Sequence, residues 1–155
     1  MKVFREEAFK LIKTSEDNPE LVEGQAAKVL FRYYKEHGFT INQKTDMIMS
    51  NFLNSGRFKI DCKGKCMVVA DSRANAIRYF WAIKDYIKDH PQEAKCCNVL
   101  VAFSGSVKFD DDEKEYTEAN LNIDAEGKEI NSDKKFRKAF RSDKYNILVV
   151  ADKYQ

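Results

Sequence analysis

At residues 66–70 the chain reads Cys66-Met67-Val68-Val69-Ala70, a continuous apolar run that closes in the polar Asp71-Ser72-Arg73. Two later runs of the same kind, each again followed by small or polar residues, are Val99–Phe103 and Ile147–Ala151. Apolar runs without polar alternation are typical of strands covered on both faces, as in a parallel sheet flanked by helices. Ligands meet such sheets at the carboxyl ends of the strands. The polar residues that close the runs are therefore the first place to look for function.

Apolar residues at helical spacing predict that the segment before the first run is helical. Three helices are expected there, over residues 1–15, from Pro19 to Tyr34 with Gly38 as its stop, and from Asn42 to about Leu53. We therefore expect residues 1–60 to form an N-terminal helical segment and residues 61–155 to form an α/β lobe.

The segments between the three runs are long enough for parallel crossovers. Ser72 is placed to cap a long helix over residues 74–89, which His90-Pro91 ends. The polar stretch Lys108–Asp133, with its acidic block, is expected to be a solvated loop, and Lys134–Arg141 a short helix. An open sheet of three strands is small, so we expect the chain to be an excised piece of a longer polypeptide.

Composition narrows the class of protein. The 155 residues contain 27 Lys+Arg against 25 Asp+Glu, short of the strongly basic character of a dedicated nucleic-acid domain. A hydrophobic content of 43% is globular and excludes a disordered chain. The sequence contains no apolar run of about 18 residues and begins without an apolar signal core. We therefore expect a cytoplasmic protein with no membrane partner, whose four cysteines are free thiols.

Ser72, Arg73, Ser104 and Gly105 are the candidate binding residues at the strand ends. Ser72 and Arg73, with backbone N–H groups at the helix start, could hold a phosphate oxygen. The alternative is that Ser72 only caps the helix and Arg73 is a solvated residue of its first turn. Ser104-Gly105 could let a ligand approach the backbone closely, or could be a plain turn.

Metal and nucleophile chemistry find little support in the sequence. Four cysteines suggest zinc, but the adjacent pair Cys96-Cys97 and the spacing of Cys62 and Cys66 fit a tetrahedral site poorly. His37 and His90 are placed at helix ends, with no serine or cysteine partner indicated. No P-loop motif and no Gly-x-Gly-x-x-Gly motif occurs. We therefore assign no catalytic residue and no metal ligand.

Four ordered blocks of the second half resemble the motor subunit (R subunit) of type I restriction enzymes. The first block contains Val68-Val69-Ala70-Asp71-Ser72-Arg73, which resembles helicase motif IV. The last begins motif V, and in that family it continues into Thr-Gly-Phe-Asp. The blocks are Lys65–Tyr79, Val101–Gly105, Glu115–Glu118 and Ile147–Gln155. Residues 1–60 match only loosely.

This resemblance implies both a fold and roles for residues. The fold is a RecA-like (P-loop NTPase-like) parallel sheet flanked by helices, the truncated second lobe of a superfamily-two helicase motor. The polar residues at two strand ends are implied to contact the DNA backbone, and those that begin motif V to link DNA contact to the nucleotide; Asn75 receives no role. The first set is Ser72, Arg73, Ser104 and Gly105, and the second is Asp152, Lys153, Tyr154 and Gln155.

The resemblance also implies cofactors and partners. The parent is an ATP-dependent type I site-specific deoxyribonuclease that uses ATP and Mg²⁺ and translocates double-stranded DNA. Its first RecA-like lobe and nuclease domain lie outside this chain, and methyltransferase and specificity subunits complete the complex. This chain alone is then expected to bind no cofactor. One alternative is a non-catalytic α/β interaction module of RecA-like shape; another, resting only on the cysteines, is a small metal- or thiol-dependent enzyme.

Overall fold

A computed structural model describes residues 28, 31, 33–35, 37–110, 112–124 and 126–151. The helix predicted over residues 1–15, much of the one predicted from Pro19 to Tyr34, and the motif V residues 152–155 lie outside the described residues. The chain divides into two compact units, residues 1–43 and 44–155. None of the helices in the described part of the chain is long and apolar enough to cross a membrane.

The described residues of the first unit are helical up to Lys35, and helix α1 then runs over Gly38–Asn54. The predicted start at Asn42 is wrong, because the helix begins four residues earlier. His37 separates the two helical segments: its carbonyl accepts from the N–H of Thr40 and Ile41 at 3.0 and 3.1 Å, and its Nδ1 from that of Phe39 at 3.2 Å. His37 therefore caps α1, which satisfies N–H groups that have no partner within the helix.

The second unit is built on alternating strands and helices. After α1 come a 3₁₀ turn and a short turn in which Ile60 and Asp61 have left-handed backbone angles. These two turns are Gly56–Phe58 and Lys59–Cys62. The elements that follow are β1 Cys66–Val69, α2 Arg73–Asp89, β2 Val99–Ala102, β3 Ser106–Phe109, β4 Asp112–Thr117, α3 Glu118–Leu121, α4 Asp133–Arg141 and β5 Ile147–Val150.

The three apolar runs form one parallel sheet, as predicted. Its strand order is β1-β5-β2, so the last strand in the chain lies in the middle. Val68 pairs with Val149, and Val101 pairs with Val149 from the other side. The helix predicted over residues 74–89 is confirmed as α2, and His90 ends it by donating its N–H to the Tyr86 carbonyl.

Helices cover the sheet on both faces. On one face α2 buries Ile77, Phe80 and Ile83 in a core that includes Val101 and Val149. On the other face Phe136 of α4 packs in a second, smaller core formed by residues of β2 and β5. This arrangement explains why β5 is buried at all four positions and why the runs lack polar alternation. The fold is therefore α/β, with a parallel sheet flanked by helices.

Strand β1 is the exception to this burial. Among the described strands it is the outer one on its side of the sheet and pairs with β5 alone. Val68 is buried toward α2, but Met67 and Val69 point to the other face and are 55% and 62% exposed. The apolar character of β1 therefore exceeds what its packing within this sheet requires.

The prediction of a solvated loop over residues 108–133 is wrong. Strands β3 and β4 form an antiparallel hairpin, followed by α3 and by a bridge between Ile123 and Glu129. Phe109 and Tyr116 project from the hairpin onto Trp81 of α2, with ring centroids 5.5 and 5.1 Å from that of Trp81. This aromatic cluster gives the charged hairpin an apolar side that is partly buried.

Candidate strand-end site

The carboxyl end of β1 passes directly into the start of α2. The N–H of Ala70 bonds to the carbonyl of Val150 at 2.8 Å, so sheet pairing continues up to the turn. Ser72 then has extended backbone angles, and its Oγ accepts from the N–H of Asn75 at 3.1 Å. The predicted helix cap is therefore confirmed. The same bond uses the Ser72 hydroxyl in holding the helix start, where backbone N–H groups collect.

Arg73 connects the ends of two strands. Its Nη1 donates to the backbone carbonyl of Ser104, beyond the end of β2, at 3.1 Å. Gly105 has a φ of +77°, and a Cβ at this position would lie 3.1 Å from Arg73 Nη1. Glycine is favoured here both because of the backbone angle and because the guanidinium lies so close. Three of the four predicted binding residues are thus brought together at one edge of the sheet.

Within the part of the chain that the structure describes, no carboxylate forms an ion pair with Arg73. The side chain is exposed, and among the described residues its only hydrogen-bond partner is the neutral Ser104 carbonyl. A guanidinium has five N–H donors, so most remain available to an incoming anion. Ser104 and Gly105 are exposed as well. Arg73 can therefore donate to a phosphate or carboxylate through these remaining N–H groups.

A series of side-chain hydrogen bonds, which the sequence alone did not predict, runs along the first turns of α2. Asn75 is 3% exposed, and its Nδ2 donates to Asp71 Oδ1 at 2.7 Å. Its Oδ1 accepts from Arg78 Nη1 at 2.8 Å. The Arg78 guanidinium in turn lies over the Phe109 ring, 5.2 Å from its centroid. Asn75 therefore fixes the positions of the Asp71 carboxylate and the Arg78 guanidinium.

The spacing of Asp71, Asn75 and Arg78 is the sequence feature that could have predicted these hydrogen bonds. Positions 71, 75 and 78 are four and three residues apart, so they fall on one face at the start of a helix. A buried amide with both ends bonded is costly to replace, because an apolar substitute leaves its partners unsatisfied. The carboxylate also affects Tyr79: burial raises the pKa of the Tyr79 hydroxyl, and the charge of Asp71 raises it further.

A cavity of about 410 Å³ adjoins Ser104 and Gly105. Its other wall includes Ser132 and Asp133 at the start of α4. Glu118 of α3 lines it too, and its Oε2 accepts from the N–H of Phe103 at 3.2 Å. The start of α4 therefore lies close to Ser104, at the carboxyl ends of the strands.

The cysteines lie toward the opposite edge. Cys62, Cys96 and Cys97 line a cavity of about 560 Å³ near the amino ends of the strands, while Cys66 is half-buried in β1. All four are free thiols. Burial raises the pKa of the Cys66 and Cys97 thiols. Within the described residues, no group of three or more His, Cys, Asp or Glu side chains is arranged to hold a metal ion.

The histidines have structural contacts. His37 caps α1, and the His90 ring stacks on that of Tyr86 with centroids 4.1 Å apart. Comparisons of the chain with protein-family models, curated proteins and solved structures found no match. The strand-end geometry itself is therefore the basis for a functional proposal.

Proposed function

We propose that this chain contributes the second RecA-like lobe of a DNA-translocating motor of the type I restriction R subunit kind. In this proposal the edge that carries Arg73, Ser104 and Gly105 contacts the phosphate backbone of double-stranded DNA. The observation that carries it is the bond from Arg73 Nη1 to the Ser104 carbonyl, which joins the ends of β1 and β2. The resemblance of the blocks around these residues to that subunit supports the same proposal.

The contact would be electrostatic and independent of base sequence. Phosphate contacts position a duplex, whereas base contacts specify it. Arg73 would supply the charge, and the N–H groups at the start of α2 would lie beside it. Ser72 would hold the start of α2 through its Oγ, which accepts from the N–H of Asn75, while its O–H, which that bond does not use, could donate to a phosphate oxygen. Asp152, Lys153, Tyr154 and Gln155 are proposed to link this contact to the nucleotide, as the resemblance implies.

ATP and Mg²⁺ belong to this proposal only through the other lobe. The chain contains no Gly-x-x-x-x-Gly-Lys-Ser/Thr loop to surround the phosphates. In the described residues no acidic cluster is arranged for a divalent cation. The residues present therefore do not fit a complete nucleotide site, and no catalytic step is assigned to them.

One observation favours a second candidate, the non-catalytic interaction module. The Arg73 bond to Ser104 and the chain from Asp71 through Asn75 to Arg78 are internal contacts. Residues whose main role is to hold two strand ends together would produce the same geometry without any DNA contact.

Duplex binding by the full chain separates the two candidates. Arg73→Ala is compared with Lys84→Ala, which removes an exposed charge from the middle of α2, using two unrelated duplex sequences across a range of salt concentrations. We expect Arg73→Ala to weaken binding equally for both sequences and to lower the salt slope by about one, with Lys84→Ala unchanged. A lower melting temperature for Arg73→Ala with unaltered binding supports the interaction module instead.

A further inference from the structure

Helix α4 carries a dense group of positive charges. Five of its nine residues are Lys or Arg, and all five are exposed: Lys134, Lys135, Arg137, Lys138 and Arg141. Successive helical residues are about 100° apart, so these five side chains fall within an arc of about 160°. Phe136, the buried residue of the helix, lies opposite the centre of this arc. We call the five residues the cationic face of α4.

Among the described residues, the cationic face is largely without counter-charge. The pKa of Asp124, lowered first by its backbone hydrogen bond from Lys128, is lowered also by the charge of one member of the face, Lys135. Within the described part of the chain, none of the five forms an ion pair within 4.0 Å, and the hydrogen bond of Lys135 is to the neutral Asn131 Oδ1 at 3.2 Å. The one carboxylate of the helix is Asp133, in its first turn. Neighbouring like charges on a helix destabilise it slightly, so a face of this kind costs stability unless an anion binds to it.

The helix that carries this face is anchored at several points. Phe136 is 3% exposed in the core beneath it, and Ser132 caps its start by accepting from the N–H of Lys135. At the other end, Lys65 Nζ donates to the carbonyls of Ser142 and Tyr145 at 2.9 and 3.0 Å, and also to that of Phe140. The five charges are therefore displayed on a fixed support rather than on a loop.

This anchoring also decides which anionic partner fits. Amphipathic helices that bind membranes insert their apolar face among the lipids. The apolar face of α4 already packs against the sheet, so the part of the helix that a partner can contact is its charged face. A duplex matches such a surface, because it carries a charge about every 1.7 Å along its axis and needs no apolar insertion. At about 13 Å the helix spans several such charges.

We propose that the cationic face of α4 binds the phosphate backbone of double-stranded DNA, next to the strand-end contact. The identity of the ligand rests on the proposed function. The two surfaces are close together, since Ser104 and Gly105 line the same cavity as Ser132 and Asp133, which immediately precede the first lysine of the face. A duplex that contacts Arg73 and continues along the outside of α4 would meet both sets of charges.

The test removes three charges from the face and three from elsewhere. The triple variant Lys134→Gln, Lys138→Gln, Arg141→Gln is compared with the matched triple Lys84→Gln, Lys88→Gln, Lys95→Gln, which lowers net charge equally. Duplex binding by the full chain is measured by fluorescence anisotropy between about 50 and 200 mM salt. We expect the α4 triple to reduce the salt slope by about two to three, with a much smaller change in the control.

The outcomes separate this inference from the proposed function. If Arg73→Ala lowers the slope and the α4 triple does not, the inference fails while the strand-end contact stands. If wild type does not bind duplex at all, both fail. Loss of binding to phosphatidylserine-containing vesicles without any effect on duplex binding also overturns it, in favour of a lipid surface. Circular dichroism checks folding, and Lys138→Gln alone, with an expected slope change of about one, replaces the triple if that unfolds.

Discussion

The side chain of Asn122 pairs with the backbone of Val101 as a neighbouring strand would. The N–H of Val101 donates to Asn122 Oδ1 at 2.9 Å, and Asn122 Nδ2 donates to the Val101 carbonyl at 2.7 Å. Both residues are almost completely buried. Glu118 accepts the N–H of Phe103 two residues further on. Side chains from α3 and its end thus close the outer edge of β2, which none of the described strands covers.

Asn122→Leu should therefore be strongly destabilising. The substitution keeps the number and branching of the side-chain heavy atoms but leaves the N–H and carbonyl of Val101 buried without partners, each at a cost of about 1–3 kcal/mol. We expect the free energy of unfolding to fall by about 2–6 kcal/mol in urea denaturation. Asn131→Leu, at an exposed position, should change it by less than about 0.5 kcal/mol. Equal effects of the two variants would show that the paired bonds contribute little.

Gly64→Ala should destabilise the segment that leads into β1. A Cβ at Gly64 would lie only 2.0 Å from the carbonyl oxygen of Gly56, so the backbone must move to admit it. We expect a loss of about 1–3 kcal/mol, the usual cost of overpacking. At Gly38 a Cβ would meet no atom within 4 Å, and Gly38→Ala should be neutral or slightly stabilising. A Gly64→Ala protein as stable as wild type would mean that Gly64 and Gly56 do not approach each other this closely in solution.

Acid should weaken the turn that follows Ile123. Asp124 Oδ1 accepts from the N–H of Lys128 and of Glu126 at 2.8 and 2.9 Å, and these bonds, the Lys128 bond first, lower the pKa of Asp124 below its ordinary 3.8. A lowered pKa in the folded chain means that the carboxylate stabilises the fold above pH 3.8 and loses this contribution as the pH falls further.

Asp124→Asn keeps an acceptor oxygen but cannot titrate. Its stability should therefore depend less on pH than that of wild type below about pH 4, when both are compared by urea denaturation. Asp143→Asn is the control, at an exposed aspartate outside this turn. An identical acid response in wild type and Asp124→Asn would contradict the role given to Asp124.

The four thiols should differ in reactivity. Cys62 and Cys96 are exposed, whereas Cys97 is buried and Cys66 is half-buried. Burial raises the pKa of the last two, so less thiolate, the reactive form, is present at neutral pH. Alkylation with iodoacetamide should modify Cys62 and Cys96 first, as followed by peptide mass spectrometry. Unfolding in urea should make all four react, and rapid labelling of Cys97 in the folded chain would be inconsistent with its burial.

The sheet was predictable because its signal is local. Each strand of the parallel sheet is a continuous apolar run, and a serine at position 72, just before apolar residues at helical spacing, indicates the start of α2. The hairpin was not predictable in the same way. The acidic residues between Phe109 and Tyr116 obscure the alternation of its strands, and both aromatic rings are partly buried by packing on Trp81 of α2. A contact between elements so far apart in the chain leaves no periodic pattern.

The site was predictable in part for the same reason. Strand ends in a parallel sheet meet at one edge, which brings Arg73 to Ser104 and Gly105. The role of Asn75 could not be read from its residue type, because an asparagine early in a helix is commonly a solvated residue. Only its burial, with Asp71 on one side and Arg78 on the other, shows that it is structural.

The outer edge of β1, which no described strand pairs, is the side of the sheet at which another strand could be added. The β2 side is sealed by Asn122 and Glu118, so an added strand there would have to displace buried hydrogen bonds. On the β1 side, Met67 and Val69 present apolar surface on a strand that, within the described residues, is paired along one side. Any segment that enlarges this sheet, from the same polypeptide or another, would therefore join at β1 and would cover these two side chains as it did so.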